Sequence, residues 1–122
     1  MNSIHQLAIF AARSANLALL KERIEAGADP NYVDAQYGSP LAAAIAADSQ
    51  EIVEYLLSIG ASVNIEYHDS IGPLEIALYH SNKAIAYRLV CAGAKLKRTA
   101  LPFYRARLDD ILKEMHRKNT DA

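Results

Sequence analysis

Apolar residues recur along the chain at helical spacing, in short segments separated by turn-forming residues. The clearest apolar stripe consists of Ile52, Val53, Leu56 and Leu57, and a second one, of Ile85, Leu89 and Val90, follows 33 residues later. Intervals of three and four residues place side chains on one face of a helix. The pattern therefore predicts an all-α fold built from short amphipathic helices.

Three further sets of residues keep the same interval of 33 residues. They are the glycines Gly27, Gly60 and Gly93, the dipeptides Pro40-Leu41 and Pro73-Leu74, and the polar residues Asn16, Ser49 and Asn82. Agreement between independent features at one spacing is the sequence signature of a repeat protein. Stacked repeats bury their apolar faces against one another, so the fold should be a solenoid of helix pairs.

The interval divides the chain into three units and a terminal segment. We place the units at about residues 3–31, 32–64 and 65–97, and a final helix at about 99–118, within one domain spanning 1–122. In each unit we expect two helices, the second beginning at a polar cap and ending at a glycine. Turn-rich segments between the units should form hairpin loops.

The starts of the helices carry recognisable caps. Ser3 and Gln6 have the spacing of a capping box, which predicts a first helix from about Ile4. Pro40 and Pro73 are suited to the first position of a helix, where the missing N–H is not needed. The first helix of every unit is thus marked independently of the apolar stripes.

The repeat pattern fails after residue 97. Ala106-Arg107 stands where another Pro-Leu pair would fall, and one amphipathic helix is predicted there, with Thr99 as its cap. Its apolar face would consist of Tyr104, Leu108, Ile111, Leu112 and Met115. We interpret it as a capping helix that closes the stack. Deleting residues 101–122 should destabilise the fold by several kcal/mol, at about 25 cal/mol per Å² of exposed apolar surface.

The repeated segments carry a family resemblance. Residues 40–64 read PLAAAIAADSQEIVEYLLSIGASVN and residues 73–97 read PLEIALYHSNKAIAYRLVCAGAKLK. Both resemble ankyrin repeats, whose pattern runs from Thr-Pro-Leu-His through Ala-Ala to Leu-Leu and Gly-Ala-Asp-Val-Asn. The resemblance covers about residues 3–97 and implies a stack of three helix pairs.

The chain departs from the family pattern at several places. The Thr of Thr-Pro-Leu-His is replaced by Gln6, Ser39 and Gly72, and its His by Ile9, Ala42 and Glu75. In the family these residues tie the turn to nearby backbone, so we expect a less stable stack. Gly38 falls one position later than the usual hairpin glycine, which predicts a differently shaped first hairpin.

The resemblance also implies where a partner would bind. In ankyrin stacks, hairpin tips and the exposed face of each first helix line a concave surface. The corresponding candidate residues here are Arg13, Gln36, Tyr37, Tyr67, His68, Asp69, Ile71, Tyr79 and His80. Ala46 and Ala47 would form a shallow floor between them. Tyr and His are frequent interface anchors, although each ring could instead serve local packing.

Charge is divided unevenly along the chain. The net charge is −1, yet residues 1–66 carry three basic and eight acidic side chains, and residues 67–122 carry ten basic and six acidic ones. The late basic residues could attract an acidic partner, or could simply be solvated. Asp109, Asp110 and Glu114 lie among these basic residues, and there are few aromatic residues on which bases could stack. We therefore do not expect nucleic acid binding.

Motifs for catalysis, cofactors or membranes are missing from the sequence. The four histidines lack metal-ligand spacing, and neither a Gly-rich phosphate loop nor a nucleophile elbow occurs. We therefore predict no enzyme activity and no cofactor. The single cysteine, Cys91, excludes an internal disulfide and fits a cytoplasmic protein. The apolar segment 4–12 is too short and interrupted for a signal peptide, and no segment is long enough for a membrane span.

Taken together, these features favour a non-catalytic module that binds a protein partner and is monomeric when free. With one domain, it would mask or inhibit its partner, as an immunity or antitoxin-like protein does, or adapt one protein to another. The main alternative is a self-associating structural subunit or adaptor, using Leu19, Leu20 or the Tyr104–Met115 face. A small enzyme would require polar groups that converge in a pocket.

Overall fold

The computed structural model describes residues 3–64, 71–96 and 100–120, with side chains in the last segment as far as Arg117. This part of the chain contains seven helices: α1 Ile4–Arg13, α2 Leu17–Glu25, α3 Pro40–Ala46, α4 Gln50–Ser58, α5 Pro73–Tyr79, α6 Lys83–Cys91 and α7 Pro102–Thr120. The all-α repeat architecture predicted from the sequence is confirmed.

The second helix of each pair begins with the same side-chain cap. Asn16, Ser49 and Asn82 each accept a hydrogen bond from the backbone N–H three residues later, over 2.9–3.4 Å. Such a bond satisfies an N–H that has no partner inside the helix. The caps predicted from the 33-residue interval are therefore confirmed.

The first helices begin in three different ways. Ser3 and Gln6 form the predicted capping box before α1. Ser39 accepts a hydrogen bond from the Ala42 N–H (3.1 Å), whereas the N-cap of α5 is Gly72, whose N–H donates to the Glu75 carboxylate (3.0 Å). The side chains that replace the family Thr and His therefore still bond to the turn at α3 and α5.

The first helices form a row that runs through the whole stack. Helix α3 packs against α1 on one side and α5 on the other, and α2, α4 and α6 each pack against the first helix of their own pair. Ile52, Val53, Leu56, Ile85 and Leu89 are fully buried between the layers. Two stripe positions predicted to be buried, Leu57 and Val90, are only half-buried at the edge of this core.

Helix α7 covers the end of the stack by packing against α5 and α6. Ile111 is buried, and Tyr104, Leu108 and Met115 pack half-buried against the same core. The helix begins at Pro102 rather than near residue 99, and the predicted cap Thr99 lies outside the described residues. An apolar face that would otherwise meet water is thereby covered.

Two rows of loops connect the helices. The helix-turn row joins the two helices of each pair and contains residues 14–16, 47–49 and 80–82; the hairpin row follows the second helices and begins at Gly27, Gly60 and Gly93. Within the hairpin row, Asn31 accepts a hydrogen bond from the Ser62 N–H (2.8 Å) and Asn64 accepts one from the Lys95 N–H (3.2 Å). These bonds tie successive repeats together.

Candidate functional site

An open groove of about 380 Å³ crosses the row formed by α1, α3 and α5. Its floor consists of Ala42, Ala43 and Ala46, which belong to the short helix α3, and of Ala47, which is the C-cap of that helix. Alanine side chains leave space that a larger residue would fill. The floor predicted from Ala46 and Ala47 is thus part of the observed groove.

Arg13 and Tyr37 form one wall of the groove. The Tyr37 ring meets the Phe10 ring edge to face, with 4.9 Å between the centroids, and the Arg13 guanidinium lies 5.4 Å from the Tyr37 centroid. Tyr37 is half-buried and Arg13 is exposed. Tyr37 therefore combines local packing with a place in the groove wall, and it restrains Arg13 through a cation–π contact.

The loop that carries Tyr37 is fixed by Asp34. This buried carboxylate accepts hydrogen bonds from the Gln6 side-chain amide (2.9 Å) and from the backbone N–H groups of Gln36 (2.8 Å) and Tyr37 (3.0 Å). The three donors, led by Gln6, hold the pKa of Asp34 below its ordinary value of 3.8. Asp34 also pairs with Gly38 in an isolated antiparallel bridge, and Gly38 has a φ of +82°.

Ile76 and His80 form the opposite wall. His80 is the C-cap of α5, and its ring meets the Tyr79 ring edge to face at 5.4 Å. Tyr79 is 67% exposed and does not line the groove. A second depression, of about 470 Å³, adjoins the groove at Ala46 and His80 and extends along the helix-turn row.

The structure brings together only part of the predicted binding set. Arg13, Tyr37 and His80 share the groove, while Gln36, Ile71 and Tyr79 are exposed but do not line it. Tyr67, His68 and Asp69 lie outside the described residues.

Sequence reasoning missed three of the residues that line the groove. Ala42, Ala43 and Ile76 were not among the predicted binding residues. Two of them could have been found from the 33-residue interval. Ala43 and Ile76 occupy equivalent positions in successive repeats, and Phe10 occupies the same position in the first repeat.

The apolar residues proposed for self-association are used mainly in the core. Leu20 is fully buried and Ile111 nearly so, and Leu19 is half-buried against the core. By contrast, Leu101, just before α7, is 63% exposed, and Phe103, in the first turn of α7, is 47% exposed. Cys91 is exposed, as its position on α6 predicts.

Basic side chains of α7 are partly engaged within the fold. The Arg107 guanidinium donates to the Leu78 carbonyl (2.9 Å) and to the Ser81 hydroxyl, and lies 4.5 Å from the Phe103 ring centroid. Glu114 forms an ion pair with Lys83 at 2.9 Å. This end of the molecule therefore uses some of its charge to attach α7 to the last repeat.

Residues 3–64, 71–96 and 100–120 contain no group of three or more His, Cys, Asp or Glu side chains placed to hold a metal ion. No helix in these segments combines the length and the apolar character needed to cross a bilayer.

Comparison with known proteins agrees with this geometry. A family model for ankyrin repeats, in three copies, matches residues 8–100. The chain is 34% identical over 85 residues to the neurogenic locus notch homolog protein 4 of Homo sapiens, and 34% identical over 87 residues to the neurogenic locus Notch protein of Drosophila melanogaster. These alignments cover 69% and 70% of the chain, which spans only 4% and 3% of the two relatives.

The family match begins within α1 and ends at residue 100, shortly before α7, and each relative aligns with more than two thirds of the chain. Ankyrin repeats are protein–protein interaction modules and are typically non-catalytic. The helix pairs, the 33-residue interval and these matches lead to one conclusion: the chain belongs to the ankyrin-repeat family.

Proposed function

We propose that the groove across α1, α3 and α5 is the binding site for a protein partner. One observation carries the proposal: four alanines leave an open groove of about 380 Å³ between the Arg13–Tyr37 wall and the Ile76–His80 wall. A shallow groove with a floor of small residues suits the side chains of another protein, whereas small-molecule sites enclose most of their ligand.

The proposed contact surface extends from the groove onto its rim. Among the described residues it includes Arg13, Gln36, Tyr37, Ile71, Tyr79 and His80, and it retains Tyr67, His68 and Asp69 as candidates from the sequence. The exposed Tyr79 ring supports this extension, because a large side chain with a polar tip loses little entropy on binding.

We further propose that binding masks a functional surface of the partner, in the manner of an immunity or antitoxin-like protein. The row of three first helices supports this mode of action, because it presents a preformed surface. A preformed surface binds without the entropy loss of ordering a flexible segment. Masking requires only that the surface of the partner covered by this chain is the surface that the partner needs for its own activity.

Binding of a partner in the groove can be tested by filling the space above the alanine floor. Ala46→Tyr places a bulky side chain in the groove, and Ala18→Tyr places the same side chain at an exposed position of α2 that does not line it. We expect the unmodified chain and Ala18→Tyr to capture the same protein from the native lysate, and Ala46→Tyr to lose it. Circular dichroism should show that both variants remain folded.

The outcomes separate binding from masking. Equal capture of one partner by both variants would show that the groove is not the binding site. If the partner is captured through the groove, the activity of the partner is measured alone and with a saturating concentration of this chain. Full activity in the complex would exclude masking while leaving groove binding in place.

A self-associating structural subunit or adaptor is the second candidate. The exposed apolar side chains of Leu101, just before α7, and of Phe103, in its first turn, favour it. Light scattering across a wide range of protein concentrations tests it directly. A mass that stays at one chain at every concentration would exclude self-association, and Phe103→Ser should abolish any dimer that forms through this patch.

A further inference from the structure

We propose that the groove binds a partner segment in which a carboxylate side chain stands beside a small or medium-sized apolar side chain, with the carboxylate held by Arg13. This inference rests on the proposed function, because it names the chemistry of the partner at the same groove. It is carried by the charge of the groove, by the restraint on Arg13 and by the apolar floor.

Arg13 gives the groove a basic side chain, although it comes from the acidic half of the chain. Among the described residues, the lining of the groove contains Arg13 and His80 and no Asp or Glu. Lys83 forms an ion pair with Glu114 and Arg88 forms one with Glu54, whereas no described carboxylate pairs with Arg13. Because residues 1–66 carry eight acidic against three basic side chains, the presence of Arg13 in the groove does not follow from the composition of the half of the chain to which it belongs.

Arg13 is restrained before any partner arrives. Its guanidinium contacts the Tyr37 ring, which is itself held by the Phe10 ring and by the Asp34 hydrogen bonds to its loop. A restrained arginine loses less conformational freedom when it binds, and its planar group matches a carboxylate. The contact leaves Arg13 exposed to solvent, where a partner can reach it.

The rest of the groove suits an apolar side chain. Its floor is formed by four alanines and Ile76 adds an aliphatic wall, so that a Leu, Val or Met next to the carboxylate would bury its side chain there. The adjoining depression contains Asp48, whose carboxylate already accepts a hydrogen bond from the Asn82 side chain. The carboxylate of the partner is therefore expected on the Arg13 side of the groove.

Helix α7 is a weaker candidate for an acidic partner. Its basic residues are interleaved with Asp109, Asp110 and Glu114, and Arg107 is bonded to backbone and hydroxyl oxygens of the last repeat. A nucleic acid would also bind to basic side chains, but a single arginine above an apolar floor does not match the row of phosphates along a nucleic acid backbone. The observations thus favour a protein segment at Arg13.

A library of random 12-residue peptides displayed on phage tests the inference with the full chain as bait. Selection is followed by removal of phage that bind Ala46→Tyr, whose groove is filled. We expect the surviving sequences to share an Asp or Glu next to an apolar residue. The most enriched sequence is then made as a labelled peptide, and its dissociation constant is measured by fluorescence anisotropy.

Arg13→Gln should weaken binding of this peptide about 10-fold or more, as expected for loss of a charge-assisted hydrogen bond. Lys113→Gln, which removes the same charge from an exposed position on α7, should change the affinity less than about two-fold. Replacing the peptide carboxylate by its amide should weaken binding to the unmodified chain equally, and should remove the effect of Arg13→Gln. Arg13→Lys should retain part of the affinity.

Two results would overturn the inference. One is a set of groove-dependent peptides without an acidic residue, and the other is an Arg13→Gln chain, folded by circular dichroism, that binds the acidic peptide unchanged. In both cases loss of binding to Ala46→Tyr would still support the proposed function. If every phage enriched on the unmodified chain also binds Ala46→Tyr, so that none survives the removal step, both proposals are contradicted. A library without enriched sequences on the unmodified chain would exclude a linear segment as the partner.

Discussion

The hairpin row and the helix-turn row, at opposite ends of the helix pairs, both require positive φ angles, but they use different residues for them. In the hairpin row the residues are Gly27, Gly60 and Gly93, with φ of 111°, 90° and 101°, and in the helix-turn row they are Ala15, Asp48 and Ser81, with φ of 56°, 60° and 58°. Both sets repeat every 33 residues. Only the glycines reveal the requirement in the sequence.

The difference follows from the size of the angles. A φ near 60° lies in the left-handed region, which residues with a side chain can enter at a cost of about 1–2 kcal/mol. Angles of 90–111° lie beyond it, where glycine is strongly preferred. The hairpin row therefore fixes its residue type, whereas the helix-turn row accepts several residues whose side chains then form other contacts.

Those contacts attach the helix-turn row to the next structural unit. The Asp48 carboxylate accepts a hydrogen bond from the Asn82 side chain, and the Ser81 hydroxyl accepts one from Arg107 of α7. Within the hairpin row, the described side-chain bonds between repeats reach as far as Lys95. The capping helix thus supports the helix-turn row directly, and disturbing each row should have a different effect.

The largest effect is expected when the attachment of α7 is weakened. Ile111→Ala should lower the free energy of unfolding by roughly 2–5 kcal/mol, because it removes a buried side chain at the contact with the last repeat. Urea denaturation measures the change. Lys113→Ala, at an exposed position of the same helix, should stay within about 0.5 kcal/mol of the unmodified chain. Equal stability of the two variants would contradict the capping role.

Next in size should be the effect of Asp34→Ala in the hairpin row, because three hydrogen bonds lose their acceptor. The lowered pKa of Asp34 in the folded state means that the ionised carboxylate stabilises the fold above pH 3.8. This stabilisation is lost as the pH falls through the lowered pKa.

Urea denaturation at pH 7, 5 and 3 tests the sign of this effect. The difference in stability between the unmodified chain and Asp34→Ala should be similar at pH 7 and 5 and smaller at pH 3. Asp110→Ala, at an exposed position of α7, serves as the control. A difference that grows on acidification would be incompatible with the lowered pKa.

Gly60→Ala should destabilise the fold by about 1 kcal/mol, since alanine is strained at a φ of +90° and only part of that strain is offset by a less flexible unfolded chain. An added Cβ at Gly60 would meet no atom within 4 Å, so steric contact does not contribute. Thermal unfolding gives the comparison. An unchanged or higher melting temperature would show that the hairpin row does not require glycine.

The smallest effect, and one of opposite sign, is expected for Ala15→Gly in the helix-turn row. Removing Cβ at a φ of 56° relieves strain, while glycine makes the unfolded chain more flexible, which leaves a net gain of about 0.5 kcal/mol. Ala18→Gly, at an exposed position in the first turn of α2, should instead lose stability, by at most about 1 kcal/mol. If both variants lose stability equally, Ala15 is not strained.

Much of the fold could be predicted because its signals are local. Asn16, Ser49 and Asn82 cap helices through N–H groups three residues away, and Gly60 ends a helix through its own backbone angle. Positions at the edge of a layer were less predictable. Leu57 and Val90 follow the apolar stripe but are half-buried, because exposure depends on how far neighbouring helices extend.

The candidate site was predictable only in outline. The register placed Arg13, Ala46, Ala47 and His80 on the exposed side of the first helices, where the groove lies. It gave no indication that Tyr37 would contact Phe10 and Arg13. Those contacts depend on the path of the first hairpin, which Asp34 fixes through a hydrogen bond from Gln6 of α1.

The sequence by itself determined the repeat length, the helices, their caps and the glycines that end them, because each of these depends on interactions within a few residues. The tertiary structure decided which exposed side chains share a surface. Arg13, Tyr37 and His80 come from three repeats, and their meeting in one groove depends on the angles at which the helix pairs stack. Those angles result from the packing of the whole core, which no local pattern specifies.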